Sequence, residues 1–173
     1  MSLSRIRVRA GYTAGALALF FAEPTRESLI RGGVLVVIGE LIRLWASGHI
    51  EKTLKLATGG PYAHSRNPLY VGSVVMALGF LMIARHPVAV AAGLVYLAVF
   101  YPVIIREEAK FLRGRFQDAY HDWALEVPIF FPRLRPAGPR ASKFEVARVL
   151  ANHEWRTVLG LVLLGALMAW RVR

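Results

Sequence analysis

The sequence contains no cysteine and few acidic residues, and both shortages restrict what the protein can do. Without cysteine, disulfide bonds, thiolate zinc sites and cysteine nucleophiles are excluded. Asp and Glu number 11 against 22 Lys and Arg, which gives a formal net charge of +11. The chain also lacks a Gly-x-Gly-x-x-Gly motif, a phosphate-binding loop and a His-Glu-x-x-His motif. Its 5 histidines have no spacing that places two on one helical face, so no metal site is predicted.

Apolar residues, in contrast, are abundant, at 55% of the 173 residues. A soluble domain of this length has too small a core to bury that much apolar surface. The basic residues lie beside the apolar segments and not on a separate basic module, so nucleic acid is not a predicted partner. We therefore predict a single-domain, all-α protein, a multi-pass membrane helix bundle.

Five apolar segments are candidates for transmembrane helices, which need about 20 residues each. They cover residues 8–22, 29–47, 69–84, 88–105 and 156–170. Thr25 or Ser28 can cap the second segment, and the first is predicted to be retained because no convincing cleavage site follows it. Lys and Arg divide 17 to 5 between alternate sides, which predicts a cytoplasmic N-terminus and an external C-terminus.

The predicted cytoplasmic side contains residues 47–70 and 106–150. Residues 107–123 repeat with a helical period and carry one apolar stripe, which predicts an interfacial amphipathic helix continuing from the fourth segment. Two prolines in residues 127–132 end this helix, and the block is predicted to supply apolar bulk at the membrane surface. A weaker amphipathic stretch covers residues 142–150.

The most informative stretch is residues 59–72, which runs directly into the third apolar segment. It contains Tyr62, Arg66, Asn67 and Tyr70. Polar groups at the mouth of a membrane-embedded segment are costly and usually mark a functional site. Arg66 alone would be read as an anchor at the headgroups, but the whole cluster favours a site.

A second candidate is the acidic pair Glu107 and Glu108, which follows Arg106 where the fourth segment ends. As an isolated pair at a helix N-terminus it would be a solvated feature favoured by the helix dipole. At the boundary of a helix bundle, beside the loop described above, it could hold a cationic or hydroxyl-rich ligand.

Glu40 and Arg43 lie three residues apart in the second segment and face each other on a helix. Two interpretations stay open. The residues form a mutual ion pair near the cytoplasmic end, or they orient groups toward the loop at Tyr62–Tyr70.

Three groups of residues occur in an order that resembles the isoprenylcysteine carboxyl methyltransferases and the related phospholipid methyltransferases. They are Arg43-Leu44-Trp45-Ala46, the run from Gly-Pro-Tyr to Arg-Asn-Pro-Leu-Tyr-x-Gly in residues 60–72, and the run from Glu-Glu to Val-Pro-x-Phe-x-Pro in residues 107–132. The similarity covers about residues 30–132.

The resemblance implies an integral membrane enzyme that transfers a methyl group from S-adenosylmethionine to a lipid or a lipophilic small molecule. By position, the residues assigned to the cofactor are Leu54, Lys55, Leu56, Ala57, Tyr62, Asn67, Pro68, Leu69, Tyr70 and Glu108. Those assigned to the reaction are Arg66, Arg106, Glu107 and Glu108. Asn67 stands where the family's motif has a histidine, and because it cannot titrate it argues against a general base there. Ile104 stands where the prenylcysteine enzymes have an arginine, with Arg106 nearby, so a prenylcysteine carboxylate is a doubtful substrate.

The residues are compatible with methyl transfer, in which the protein aligns donor and acceptor and excludes water. Aromatic side chains are available to stabilise a sulfonium cation. The predicted partners are a lipophilic substrate that enters from the bilayer and the membrane lipids themselves. Two alternatives stay open, namely a membrane sterol-reductase-like enzyme that uses NADPH and a non-catalytic lipid-binding membrane protein.

Overall fold

The computed structural model describes residues 3–50, 55–137 and 143–172. Over these ranges the chain is helical, without a strand, so the all-α prediction is confirmed. The helices are α1 (Leu3–Phe21), α2 (Arg26–Ser47), α3 (Pro68–Ala84), α4 (Pro87–Glu126), α5 (Val146–Ala151) and α6 (Glu154–Trp170). A 3₁₀ turn, Gly60–Ala63, precedes α3. Each of the five predicted apolar segments coincides with one α-helix, the fourth with the first half of α4.

Among the described helices, α4 is the one that is both long and apolar enough to cross a bilayer. It has 40 residues, and its apolar half leaves large side chains such as Val95 and Val99 more than half exposed. Exposed apolar faces of this kind are unusual in soluble proteins. α3 is also apolar but has 17 residues. The prediction of five spans therefore stays a prediction.

Facing glycines bring α2 and α3 together as an antiparallel pair. Gly32 lies against Gly79, and Gly39 lies against Gly72. A Cβ atom at any of these positions would lie no more than 2.6 Å from the carbonyl oxygen of the facing glycine. Small residues are needed where two helix backbones approach so closely, as they often do in membrane helix pairs.

The capping prediction for α2 is confirmed at Thr25. The Ser28 amide donates to Thr25 Oγ1 at 3.3 Å, and the Thr25 amide donates to Ser28 Oγ at 3.0 Å. Such a reciprocal capping box satisfies two backbone donors at the helix start. Arg85, at the end of α3, donates to Thr25 Oγ1 at 3.1 Å, so these two helix ends lie together.

The fourth apolar segment and the amphipathic helix form one continuous element, as predicted, with a bend at Gln117 (φ 42°, ψ −114°). Glu107 and Glu108 consequently lie in the middle of α4. They are therefore not at a helix N-terminus, where the dipole would favour a carboxylate. The residues on both sides of Arg106 have helical backbone, so α4 continues through Arg106 without a break. α5 is shorter than the predicted stretch of residues 142–150, and Ser142 lies outside the described residues.

Candidate functional site

A cavity of about 390 Å³ lies where the predicted cytoplasmic segments meet. Its walls come from the end of α2, residues 55–57, the 3₁₀ turn, the start of α3 and the middle of α4. The apolar part of the lining consists of Ile50, Leu56, Ala57, Pro68, Leu69, Phe111, Leu112, Phe116 and Trp123. The polar part consists of Arg43, Lys55, Tyr62, Arg66, Asn67, Tyr70, Glu108 and Arg115. A volume of this size and a mostly apolar wall with a few polar groups are typical of small-molecule sites.

The cavity gathers residues that the sequence analysis selected from separate parts of the chain. Nine of the ten residues assigned to the cofactor line it, namely Lys55, Leu56, Ala57, Tyr62, Asn67, Pro68, Leu69, Tyr70 and Glu108. The tenth, Leu54, lies outside the described residues. Their role in binding a cofactor stays a prediction.

The residues assigned to the reaction divide into two groups. Arg66 and Glu108 line the cavity, whereas Arg106 and Glu107 are exposed and are not part of its wall. Successive residues of an α-helix point about 100° apart, so a cavity on one side of α4 can receive Glu108 without Glu107. Arg106 and Glu107 are therefore poorly placed for direct contact with a ligand of this cavity.

The loop that forms the cavity floor is fixed by the segment that follows α4. The Arg66 amide donates to the carbonyl oxygen of Pro128 at 2.9 Å, and the Arg133 amide donates to that of His64 at 3.0 Å. Further bonds run from Ala137 N to Ala63 O, from Ser65 Oγ to Phe130 O, from Asn67 Nδ2 to Ile129 O and from Trp123 Nε1 to Tyr62 O. Residues 127–132 thus support the loop from behind, and it is mainly Phe131, 82% exposed, that adds apolar surface.

Asn67 has a supporting role in this arrangement. Its Nδ2 atom donates to the Ile129 carbonyl oxygen at 2.8 Å, and its residue is buried. This hydrogen bond holds the start of α3 against residues 127–132. Asn67 therefore shapes the cavity chiefly through its position.

Tyr62, a residue of the cavity wall, has an unused hydrogen-bond donor. The residue is 5% exposed, and its hydroxyl group has no hydrogen-bond partner. Burial raises the pKa of Tyr62 strongly, and the nearby carboxylates of Glu108 and Glu154 raise it further. The phenol therefore stays protonated and can donate to a ligand.

Arg66 offers a second unused donor. Its Nη1 atom donates to the Tyr120 hydroxyl at 3.2 Å, while its Nε atom is buried without a partner. Leaving a buried donor unpaired costs about 1–3 kcal/mol. A ligand with acceptor atoms for Arg66 and Tyr62 would recover that free energy.

The residues that the sequence analysis missed include the partner of Arg43. The Arg43 Nη2 atom donates to both carboxylate oxygens of Glu154, at 3.0 and 2.9 Å, whereas its Nε atom lies 3.7 Å from Glu40 Oε2. Glu40 and Arg43 do form an ion pair, as the first of the two interpretations has it, but Arg43 also pairs with Glu154. Glu154 opens the fifth apolar segment, and an acidic residue in that position was a signal that could have found it.

A second omission concerns the apolar stripe of residues 107–123, which was predicted to face the membrane. Phe111, Leu112, Phe116 and Trp123 from this stripe also line the cavity. An apolar stripe requires an apolar neighbour, but the period alone does not say whether that neighbour is lipid or protein.

Comparison with known proteins identifies relatives of this chain. A family model described as phospholipid methyltransferase matches residues 27–119. The cobalt-zinc-cadmium resistance protein CzcN of Cupriavidus metallidurans is 34% identical over 108 residues, which is 61% of this chain and 50% of that protein. The protein-S-isoprenylcysteine O-methyltransferase of Saccharomyces cerevisiae is 28% identical over 124 residues, which is 65% of this chain and 52% of the yeast protein.

The chain thus spans about half the length of the curated relatives that it matches. No solved structure matches it. In the part of the chain that the structure describes, no three His, Asp or Glu side chains come together as metal ligands.

Proposed function

The chain belongs to the phospholipid methyltransferase family, and from this premise we propose that it is an integral membrane enzyme that uses S-adenosylmethionine to methylate a lipophilic acceptor. The observation that supports the proposal most is the cavity of about 390 Å³ with its unpaired donors at Tyr62 and Arg66 and with Glu108, the one carboxylate among the described residues of its wall.

The residues present fit S-adenosylmethionine in charge and in hydrogen bonding. Glu108 can accept hydrogen bonds from ribose hydroxyls or from an amino group. The Tyr62 hydroxyl and Arg66 Nε can donate to a carboxylate, which would satisfy both unpaired groups. Leu56 and Phe116 offer apolar surface to a nucleobase.

When bound, S-adenosylmethionine supplies a methyl group that the acceptor's lone pair takes while the C–S bond breaks and its electrons stay on sulfur. The part of this chain is to hold donor and acceptor in line and to keep water out. Residues 127–132, which support the loop from Tyr62 to Asn67, serve that purpose by fixing the cavity floor. Among its described residues, the cavity lining contains no histidine.

The same proposal gives the protein five spans, with its N-terminus and the cavity on the cytoplasmic side. Three features support it, namely the 17 to 5 division of basic residues, the exposed apolar faces of the helices and the glycine contact between α2 and α3.

Thermal unfolding of the purified protein in detergent tests the choice of cofactor. A ligand at a hundred times its dissociation constant stabilises the folded state by about 2.7 kcal/mol. S-adenosylhomocysteine should therefore raise the midpoint by several degrees, and NADPH should leave it unchanged. A shift with NADPH alone would support the sterol-reductase-like alternative, and no shift with either would favour the non-catalytic one.

A further inference from the structure

A second recess, of about 420 Å³, lies between α2, α3 and α6 and is separate from the cavity described above. We call it the α2–α6 groove. Apolar side chains from all three helices line it, among them Val36, Phe80 and Leu161. Glu40 is the one charged residue in its wall among the residues that the structure describes.

Glu40 is buried in this wall without a hydrogen-bond partner. The residue is 7% exposed, and neither of its carboxylate oxygens has a hydrogen bond. The nearest cation is Arg43, whose Nε atom lies 3.7 Å from Glu40 Oε2. A carboxylate in such surroundings is costly unless a partner binds it.

Arg43 balances this charge only in part, because its Nη atoms pair elsewhere and its Nε atom, at 3.7 Å, makes no hydrogen bond to Glu40. Its Nη2 atom donates to both oxygens of Glu154, and its Nη1 atom donates to Ser73. Glu40, Glu154 and Arg43 together carry two negative charges and one positive charge when ionised. The cluster therefore has room for one more cation or hydrogen-bond donor, and Glu40 belongs to the wall of the groove.

The position of Glu40 connects the groove to the cavity. Arg43, one helical turn further along α2, lines the cavity, whereas Glu40 lines the groove. A polar head held at Glu40 would thus lie next to the cavity, with its chain along the apolar groove. Glu40 precedes Ser47, the last residue of α2, by seven residues, which is about 10 Å along the helix. A compact head on one chain reaches that depth more readily than a phosphate-bearing head, which stays at the membrane surface.

We propose that the α2–α6 groove is the binding site of the methyl acceptor and that the acceptor is a single-chain lipophilic amine whose nitrogen pairs with Glu40. The inference rests on the proposed methyltransferase function. Two carboxylates at this point disfavour an acceptor that carries a carboxylate of its own. Transfer of one proton from the ammonium to Glu40 leaves a neutral amine, whose lone pair forms the N–C bond as the methyl–sulfur bond breaks and sulfur keeps the electrons.

The test uses a dodecylamine that carries a photoreactive diazirine in its chain, with protein reconstituted in lipid nanodiscs. Peptides labelled after illumination are identified by mass spectrometry. Gly165 lines the groove and Gly160 does not, yet both are on α6 with open space where a Cβ would lie. Gly165→Leu therefore fills the groove, and Gly160→Leu is its matched control. Glu40→Gln removes the charge and keeps the shape.

The amine should label peptides of α2 and α6. Labelling should fall at least tenfold in Gly165→Leu and in Glu40→Gln and stay unchanged in Gly160→Leu. A fatty acid of equal length with the same diazirine should label the wild type only weakly. Its labelling should not exceed the reduced level that the amine gives with Glu40→Gln. Equal amine labelling in Glu40→Gln and wild type, or equal labelling in both glycine variants, would overturn the inference.

Binding of S-adenosylhomocysteine, measured separately by calorimetry, distinguishes this inference from the function on which it rests. It should be unchanged in Gly165→Leu, because that residue is not part of the cavity wall. If the amine labels the protein in a Glu40-dependent way but the protein binds no S-adenosylhomocysteine, the methyltransferase function is refuted and the groove is an amine-binding site only. Normal cofactor binding with labelling that ignores Glu40 would refute the acceptor site alone.

Discussion

At the scale of the residue, Tyr62 allows ligand binding to be separated from folding. Tyr62→Phe removes a buried hydroxyl that has no partner in the protein, so the variant should be at least as stable as the wild type. If the hydroxyl donates to a charged ligand group, affinity for S-adenosylhomocysteine should fall about tenfold, which corresponds to about 1.4 kcal/mol.

Thermal unfolding and calorimetry on Tyr62→Phe check both parts. Tyr12→Phe is the matched control, because Tyr12 is 77% exposed and lies outside the cavity. Unchanged affinity in Tyr62→Phe would remove this hydroxyl from the site, and a large loss of stability would mean that it has a partner within the protein.

The raised pKa of Tyr62 predicts a dependence of stability on alkaline pH. Burial keeps the folded-state phenol protonated at a pH where the unfolded phenol, with a pKa of about 10, has begun to ionise. The unfolded state then binds fewer protons, so this contribution to stability is intact below about pH 10 and is lost as the pH rises beyond it. Wild-type protein should therefore lose more stability than Tyr62→Phe between pH 9 and 11, measured by urea unfolding in detergent. Parallel losses would contradict the assignment.

At the scale of the element, the contact between α2 and α3 depends on those glycines of α2 that face α3. Gly39→Ala places a Cβ atom within 2.7 Å of Gly72 and Met76 atoms, whereas Gly33→Ala places one in open space. Alanine favours a helix over glycine by about 1 kcal/mol, and overpacking costs about 1–3 kcal/mol. Gly33→Ala should thus keep or raise the unfolding midpoint, and Gly39→Ala should lower it by several degrees. Equal midpoints would show that α2 and α3 do not pack through these glycines.

The elements that could be predicted from the sequence are those whose cause lies in neighbouring residues. The cap at Thr25 and the continuity of α4 follow from neighbouring residues and were predicted. The bond between Arg43 and Glu154 joins residues 111 apart, and no local pattern connects them. The apolar stripe of α4 was recognised, but its neighbour, the cavity, forms only when α4 packs beside the loop before α3.

At the scale of the whole molecule, the absence of cysteine makes the membrane orientation easy to test. Asp122→Cys introduces a thiol at a side chain that is 80% exposed on the predicted cytoplasmic side. Glu27→Cys introduces one at a side chain that is 70% exposed on the predicted external side. A membrane-impermeant maleimide should label only Glu27→Cys in intact cells and both variants after permeabilisation. Labelling of Asp122→Cys in intact cells would reverse the orientation.

The cavity itself was predictable in part because the family motif is nearly contiguous in sequence. Tyr62, Asn67 and Tyr70 come from one short stretch of the sequence, and Glu108 comes from a recognisable acidic pair. The choice of Glu108 over Glu107 as the lining carboxylate required the rotation of α4 about its axis, which only the packed structure supplies. The α2–α6 groove was not predicted, since it exists only between three helices that are distant in sequence.

The binding of S-adenosylhomocysteine to the wild type, Glu108→Gln and Glu107→Gln, measured by titration calorimetry in detergent, tests the central claim most directly. The two glutamates are adjacent in α4, but only Glu108 lines the cavity. Loss of a charge-assisted hydrogen bond costs about 1.5–3 kcal/mol, so Glu108→Gln should weaken binding about ten- to a hundredfold. Glu107→Gln should bind like the wild type. Absence of binding to the wild type, or equal affinity in all three proteins, would contradict the account.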